Sequence, residues 1–356
     1  CDWSSDVCSS DLKYTQLGSS DLVVSNICLG TMTFGQQNTE KEAHQQLNYA
    51  TDQGINFIDT AEMYPVPPRE NTVYSTENIV GGWIKKNPRD KIILATKAAG
   101  SARGMPWVRD GEHAFNRTNL RSAVEGSLKR LQTDYIDLYQ LHWPERNTPM
   151  FGQYLFNPEQ EREYTDFAET LQALSELINE GKIRHIGLSN EWPWGLMQFL
   201  NTSEQESLPR VVSMQNAYNL INRTYDSSLR EMGYRENVPL LAYSPMAFGH
   251  LSAKYINDPK AQGRVNDFDG FAQRYEKPSV EPAIKAYAAL AQELNITPAT
   301  LALAFTYSRW FCASSIIGAT NMDQLTENIN AINFEWSDEV EQAIEAIHLK
   351  FFNPAP

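Results

Sequence analysis

Four residues with acid–base side chains end three consecutive apolar runs or lie just beyond them. Asp59 and Tyr64 follow the run "INFI", Lys97 ends "KIILATK", and His142 ends "YIDLYQLH". A phenol has an unperturbed pKa of about 10, so near neutral pH it can donate its proton to a developing alkoxide. A neighbouring ammonium lowers that pKa, which also lets the phenol act as a base, and a carboxylate keeps the ammonium charged. Tyr64 is therefore predicted to be a general acid tuned by Lys97 and Asp59. His142 is predicted to orient a carbonyl oxygen or to share the proton.

Eight short apolar or β-branched runs predict the strands that position these side chains. The runs are 27–31, 55–60, 91–97, 135–142, 183–190, 211–218, 239–244 and 314–319. Amphipathic helical segments separate them, and eight βα units close a (β/α)₈ TIM barrel, with the site at the C-terminal ends of its strands. No GxGxxG follows the first run, which disfavours a doubly wound Rossmann fold.

Local signals mark the helix ends, the hairpin and the loops of this barrel. Thr39 with Glu42 has the spacing of a capping box, and Gly54 predicts the end of that helix. Segment 165–181 repeats the pattern of polar cap, apolar stripe and terminal glycine. Residues 13–25 predict a β-hairpin that caps the N-terminal end of the barrel. Three long connections are predicted to carry function: 98–117, 143–164 and 245–281.

Composition fits a globular α/β protein and excludes several classes of partner. The chain has 356 residues, is 42% hydrophobic and carries a formal charge of -14. That charge argues against binding nucleic acid or anionic membranes, and no apolar run is long enough for a membrane span. The four cysteines are scattered, without disulfide or metal-ligand spacing, which favours a reducing cytoplasm. Residues 1–12, which repeat Ser-Ser-Asp, are predicted to be a non-native flank or a disordered tail, and 13–356 to form one barrel domain.

Over about residues 13–352 the sequence resembles the aldo-keto reductase superfamily. The motifs that carry the resemblance are "GTMTFG" (30–35), "GINFIDTAEMYP" (54–65), "LKRLQTDYIDLYQLHWP" (128–144), "GKIRHIGLSN" (181–190) and "LLAYSPMAFGHLSAKY" (240–255). The segment "AEMYPVPPR" (61–69) further resembles the bacterial Tas-like branch. The superfamily's catalytic tetrad falls on Asp59, Tyr64, Lys97 and His142. The resemblance therefore implies reduction of a small-molecule aldehyde or ketone.

The resemblance also implies NADPH, bound extended across the barrel mouth. The cofactor-binding residues that it assigns are Thr31, Ser189, Asn190, Gln215, Tyr243, Ser244, Pro245, Ala247, Gly249, Lys254, Arg264, Gly318, Thr320, Gln324, Glu327 and Asn328. Ser189, Asn190 and Gln215 would hold the carboxamide, and Tyr243 would stack under the nicotinamide ring. Glu327 and Asn328 would lie near the adenine. Lys254, Thr320 and Arg264 would bind the phosphates, with Lys260 or Arg274 as alternatives to Arg264.

Other functions remain open from the sequence. The strongest alternative is an NADPH-binding regulatory protein that resembles channel β-subunits and has little turnover. A metal-dependent hydrolase is disfavoured because the chain has no His-x-His pair. A glycosidase would need two acids across the mouth, and the loop residues Glu62 and Glu191 keep that possibility open. Trp107, Trp143, Trp192 and the aromatic residues of 151–156 fit either an apolar substrate pocket or ordinary packing. The physiological substrate and the oligomeric state are not specified.

Overall fold

The computed structural model describes residues 12–101, 104–268, 270 and 273–356. The prediction for the head falls on residues 1–11, which lie outside the described residues, and on Leu12. The strands are β1 Tyr14–Gln16, β2 Val23–Ser25, β3 Ile27–Gly30, β4 Phe57–Asp59, β5 Ile93–Ala98, β6 Ile136–Leu141, β7 Ile183–Ser189, β8 Val211–Ala217, β9 Leu240–Tyr243 and β10 Cys312–Ile317.

Eight parallel strands close into a barrel in the order β10-β3-β4-β5-β6-β7-β8-β9. Strand β3 pairs with both β10 and β4, which joins the first barrel strand to the last. Each of the eight predicted runs overlaps one of these strands, and only β5, which ends one residue later, and β10, which begins two residues earlier, extend beyond their runs. The predicted (β/α)₈ TIM barrel is therefore confirmed. Because all strands run the same way, their C-terminal ends meet at one face.

Thirteen α-helices occur in the described part of the chain. They are α1 Glu40–Asp52, α2 Ser75–Ile84, α3 Arg117–Leu131, α4 Phe167–Asn179, α5 Pro193–Glu206, α6 Thr224–Ser228, α7 Arg230–Arg235, α8 Lys254–Asn257, α9 Arg264–Asp267, α10 Val280–Glu293, α11 Pro298–Tyr307, α12 Met322–Asn330 and α13 Asp338–Lys350. The capping box of Thr39 and Glu42 is present at the start of α1. Gly54 follows that helix with a φ of 92°, a left-handed conformation that favours glycine.

The predicted hairpin forms and covers the N-terminal end of the barrel. Strands β1 and β2 pair antiparallel, and Leu17 and Leu22 between them are buried with the apolar residues of the barrel interior. Asp21 in the turn forms an ion pair with Arg184 at the start of β7. A second apolar layer fills the space between the barrel and its helices. The predicted site residues, at the C-terminal strand ends, therefore lie at the opposite face of the barrel.

The three long connections lie at that face, and the parts of them that the structure describes hold short helical pieces before the next helix begins. Residues 245–281 include α8, α9 and two 3₁₀ turns, and 98–117 and 143–164 include one 3₁₀ turn each. Within the described residues, no helix is both long and apolar enough to span a bilayer.

Candidate active site

A buried ion pair forms the base of the site. The Nζ atom of Lys97 lies 2.5 Å from Oδ2 of Asp59 and donates a second hydrogen bond of 2.8 Å to the carbonyl of Thr60. Lys97 is 0% exposed and Asp59 only 2%. Burial lowers the pKa of Lys97, but the charge of Asp59 opposes it and the net pKa is raised. The lysine is thus held as an ammonium inside the barrel.

Tyr64 lies directly above this pair. Backbone hydrogen bonds from Glu62 to the carbonyl of Lys97 and from Tyr64 to that of Ala61 hold the turn after β4 against β5. Nζ of Lys97 is 5.1 Å from the centre of the Tyr64 ring. Burial raises the pKa of Tyr64, whereas the neighbouring charge of Lys97 lowers it. The net effect is a pKa above the ordinary value for tyrosine. The lowering expected from the sequence is present but smaller than the effect of burial, so the phenol keeps its proton at neutral pH.

His142 faces Tyr64 and begins an apolar wall. Its ring centre lies 5.6 Å from that of Tyr64 at an interplanar angle of 76°, and 4.7 Å from that of Trp143. Trp143 is buried, and its indole N–H donates to the carbonyl of Ser101 at 3.0 Å. Trp107 packs partly buried against the same cluster. The four predicted catalytic side chains therefore meet at one point beside an apolar surface.

Amide and hydroxyl groups form a second network on the neighbouring strands. Nδ2 of Asn190 donates to the carbonyl of His142 at 2.9 Å, and its Oδ1 accepts from the hydroxyl of Tyr243 at 2.5 Å. The hydroxyl of Ser189 donates to the carbonyl of Gln215 at 2.9 Å. Asn190 has a φ of 54°, a left-handed conformation that asparagine tolerates. The residues assigned to the nicotinamide end thus lie together at the ends of β7, β8 and β9.

Other residues assigned to the cofactor secure the neighbouring strand end or lie in the loop that follows β9. The hydroxyl of Thr31 donates to the carbonyl of Asp59 at 2.9 Å, so Thr31 secures the adjacent strand end. After β9, Ser244 and Ala247 have φ of 55° and 48° and turn the chain sharply across the mouth. Pro245 between them is buried. Gly249, with a φ of 90°, leads this segment toward Lys254.

Two cations approach each other in the loop after β9. Nζ of Lys254 donates to the carbonyl of Gln262 at 2.9 Å, and a Cβ added to Gly263 would lie 2.5 Å from that nitrogen. The guanidinium carbon of Arg264 lies 5.2 Å from the ring centre of Phe248. Burial lowers the pKa of Lys254, Asp267 opposes this, and Arg264 lowers it again. Burial also lowers the pKa of Arg264 to about 10. Because burial and mutual repulsion disfavour the charged forms of both side chains, an anionic ligand between them would be stabilising.

The alternatives to Arg264 occupy different places. Lys260 is exposed to solvent. Arg274 lies beside Tyr243 and Tyr275, and although burial lowers the pKa of Arg274, these tyrosines raise it above its ordinary range. Arg264 is thus the arginine that accompanies Lys254.

The turn between β10 and α12 is rigidly held. Oε1 of Gln324 accepts from both the amide and the hydroxyl of Thr320, at 3.0 and 3.1 Å. Nδ2 of Asn328 donates to the carbonyl of Gly318 at 3.1 Å. Glu327 accepts from the hydroxyl of Thr297 at 2.6 Å. Four of the residues assigned to this end therefore hold the turn itself, and Glu327 joins α12 to the start of α11.

Two loop carboxylates that kept a glycosidase possible are engaged in buried ion pairs. Glu62 pairs with Arg109 at 3.0 Å, and Glu191 pairs with Arg146 through both carboxylate oxygens. A carboxylate locked to arginine is not placed to protonate a leaving group. Among the described residues, no group of three His, Cys, Asp or Glu side chains is arranged to hold a metal.

The Glu62–Arg109 pair fixes the 98–117 connection to the turn that carries Tyr64. Glu62 also accepts from the backbone N–H of Ala99 at 2.6 Å, and Arg109 donates to the carbonyl of Ala99 at 2.8 Å. No local pattern in the sequence pointed to this pair, because the partners are separated by a loop whose path is set by tertiary packing.

We expect Arg109→Met to lower the free energy of unfolding by about 3 kcal/mol, since it leaves the buried carboxylate of Glu62 without its counter-charge. Urea denaturation measures this loss. Arg117→Met is the matched control, because Arg117 is 68% exposed in its pair with Glu176 and such a pair contributes less than about 1 kcal/mol. Equal losses in both variants would contradict a structural role for the buried pair.

Comparisons with known proteins agree with this geometry. Residues 26–348 match the model of the aldo/keto reductase family. The chain is 44% identical over 346 residues to protein tas of Escherichia coli, covering 97% of this chain and 100% of the relative. It is 36% identical over 279 residues to an aldo-keto reductase of Babesia bovis (74% and 98% covered), and 29% identical over 353 residues to an NADH-specific methylglyoxal reductase of Escherichia coli (92% and 95% covered). The chain therefore belongs to the aldo/keto reductase family and is an NAD(P)-dependent oxidoreductase.

Proposed function

We propose that this enzyme reduces a small aldehyde or ketone to an alcohol with NADPH, and that Tyr64 is the proton donor. The observation that carries the proposal is the phenol of Tyr64 placed over the buried Lys97–Asp59 pair, with its pKa raised by burial. A buried, protonated phenol next to a fixed ammonium is suited to protonate a carbonyl oxygen as negative charge develops on it.

In this mechanism, each side chain acts on the carbonyl oxygen or on the proton donor. When bound, NADPH would supply the hydride that the carbonyl carbon accepts. Tyr64 gives its proton to the oxygen, so the carbonyl becomes an alcohol. Lys97 stabilises the phenolate that remains, and Asp59 keeps Lys97 charged. His142 lies where it can orient the oxygen toward Tyr64, and the apolar wall that includes Trp143 limits access of water.

The residues at the mouth fit a nicotinamide dinucleotide phosphate. Ser189, Asn190 and Gln215 offer amide and hydroxyl groups of the kind that pair with a carboxamide, and Tyr243 offers an aromatic face at the end of β9. Lys254 and Arg264 bring two cations together in a chain of net charge -14. This local positive site is the chemical complement of a phosphate.

One relative is named for NADH specificity, so the choice of cofactor needs a direct test. We expect Lys254→Met combined with Arg264→Met to weaken NADPH binding by about 100-fold and NADH binding by less than about threefold, because two charge-assisted hydrogen bonds to the 2′-phosphate would be lost. Dissociation constants from tryptophan fluorescence measure both. Lys260→Met is the control, since this exposed lysine lies in the same loop. Equal weakening of NADPH and NADH would contradict the 2′-phosphate assignment.

Turnover tests the reaction itself. Oxidation of NADPH is followed with a panel of small carbonyl compounds that includes methylglyoxal, the compound in the name of one relative. We expect measurable kcat/KM for at least one member of the panel. Tight NADPH binding without turnover would instead support the regulatory, partner-binding alternative.

Two further parts of the proposal rest on the sequence. We place the activity in one barrel domain that spans 13–356, and the scattered cysteines favour a cytoplasmic location. Limited proteolysis tests the first, because a single domain would yield one resistant core.

A further inference from the structure

Gln140 occupies the interior of the barrel directly beside the buried ion pair. It is 0% exposed and lies level with Lys97 on the neighbouring strand β5. On its other side, β7 places Gly187 opposite it. The mechanism described above gives Gln140 no role, yet the residue contacts both halves of the site.

The side chain of Gln140 closes a ring of three hydrogen bonds. Its Nε2 donates to Oδ1 of Asp59 at 3.1 Å, and its Oε1 accepts from Nε2 of Gln215 at 3.0 Å. Nε2 of Gln215 also donates to Oδ1 of Asp59, at 2.8 Å. Lys97 binds the other carboxylate oxygen of Asp59, so the carboxylate is held from both sides.

This ring determines which way the amide of Gln215 points. The ionised Asp59 can only accept hydrogen bonds, so each glutamine must turn its NH₂ group toward it. The NH₂ of Gln215 has two hydrogens, and Asp59 and Gln140 accept one each. The carbonyl oxygen of Gln215 is therefore directed away from Asp59, as an acceptor.

A glycine lets the two amides meet across the intervening strand. Gln140 lies on β6 and Gln215 on β8, with β7 between them. A Cβ added to Gly187 would lie 3.3 Å from Cγ of Gln140 and 2.6 Å from Oγ of Ser213. Any larger residue at this position would occupy the space through which Gln140 reaches Gln215.

We infer that Gln140 is a positioning residue that fixes the amide of Gln215 with its carbonyl oxygen toward the cofactor, where it accepts from the NH₂ of the nicotinamide carboxamide. This inference rests on the proposed use of Gln215 in cofactor binding. Without Gln140, the amide of Gln215 keeps one anchor instead of two and can rotate. Gln140 acts on the cofactor only through Gln215.

The test compares Gln140→Met in the parent and in a Gln215→Met background. Circular dichroism first establishes that each variant is folded. Tryptophan fluorescence then measures the dissociation constants for NADPH and for adenosine 2′,5′-bisphosphate, which has no carboxamide. We expect Gln140→Met to weaken NADPH by about tenfold in the parent and by less than about twofold in the Gln215→Met background. Affinity for the bisphosphate should stay within about twofold of the parent.

Two further variants complete the comparison. Gln140→Glu removes the donor to Asp59 and places a second carboxyl group beside it, so it is expected to weaken NADPH at least as much as Gln140→Met does. Ser314→Ala is the control for loss of a buried hydrogen bond elsewhere in the barrel, since Ser314 donates to the carbonyl of Ser25. If Gln140→Met does not fold, Gln140→Asn replaces it, because an amide one methylene shorter cannot reach both partners.

Each failure has its own signature. If Gln140→Met weakens NADPH equally in both backgrounds, or weakens the bisphosphate equally, the residue is only structural and the inference is wrong. If Gln215→Met itself binds NADPH as the parent does, the assignment of Gln215 to the cofactor is wrong, and the inference falls with it.

Discussion

Tyr64→Phe is expected to reduce kcat for carbonyl reduction by about a thousandfold while leaving the dissociation constant for NADPH within about twofold of the parent. Removing a positioned general acid typically costs between 10² and 10⁴ in rate. The aromatic ring remains, so the packing against His142 at 5.6 Å between ring centres is retained. The loss should therefore appear in the chemical step and not in cofactor binding.

Tyr139→Phe provides the matched control for this variant. Tyr139 is also buried, on β6, and its hydroxyl makes no hydrogen bond to any residue that the structure describes. Its removal should leave kcat within about twofold of the parent, since no donor is lost. Similar losses of kcat in both variants would mean that any buried tyrosine supports folding of the site and would contradict a donor role for Tyr64.

The pH dependence gives a second check on the same residue. Burial raises the pKa of Tyr64 above 10, although Lys97 lowers it. The protonated phenol is the active form for reduction, so kcat should stay level through neutral pH and fall only as the pH passes the raised pKa. A decline in kcat that begins near neutral pH would point to a different donor.

The clustering of the proposed catalytic residues was predictable because it depends on strand ends. Apolar runs in alternation with capped helices place Asp59, Lys97 and His142 at neighbouring strand tips, whatever the details of the loops. Gln140 was also within reach of this reasoning, since residues two apart on a strand share a face and Gln140 precedes His142 by two positions. The sequence could not identify Gln215 as the partner of Gln140, because the two side chains meet only where Gly187, on a different strand, leaves space between them.

The loops were less predictable, for a physical reason. The pairing of Glu62 with Arg109 joins positions 47 residues apart, and nothing local marks it. No local pattern marks the approach of Lys254 to Arg264 either. These two residues were assigned to the phosphates only because the sequence resembles the family. Their mutual approach follows from the turns at Gly249 and Gly263, where the backbone rather than the pattern of apolar residues decides the path.

Lys97→Met is expected to abolish measurable turnover and to lower the free energy of unfolding by about 4 kcal/mol. The variant leaves Asp59, which is 2% exposed, as a buried charge without its ammonium. Gln140 and Gln215 still donate hydrogen bonds to Oδ1 of Asp59, but the cation that paired with its carboxylate is gone. Urea denaturation without cofactor measures the stability, and oxidation of NADPH measures the turnover.

Removing both charges separates the two consequences. In Lys97→Met combined with Asp59→Asn, the buried charge is gone, so we expect most of the lost stability to return. Turnover should not return, because the phenolate of Tyr64 still lacks the adjacent ammonium. A double variant as unstable as Lys97→Met would contradict the view that an uncompensated carboxylate causes the loss. Recovery of turnover in the double variant would contradict the role of Lys97 in catalysis.

The parent and the double variant should also differ in their response to alkaline pH. Burial lowers the pKa of Lys97 in the folded protein, but Asp59 and Tyr64 together raise it above its ordinary value of 10.5. A raised pKa means that the folded state binds this proton more tightly than the unfolded state does. The stabilisation is therefore fully present below pH 10.5 and is lost as the pH rises through the folded-state pKa. Above pH 10.5 the unfolding free energy of the parent should fall more steeply than that of the double variant, and parallel curves would show that this ion pair does not couple protonation to folding.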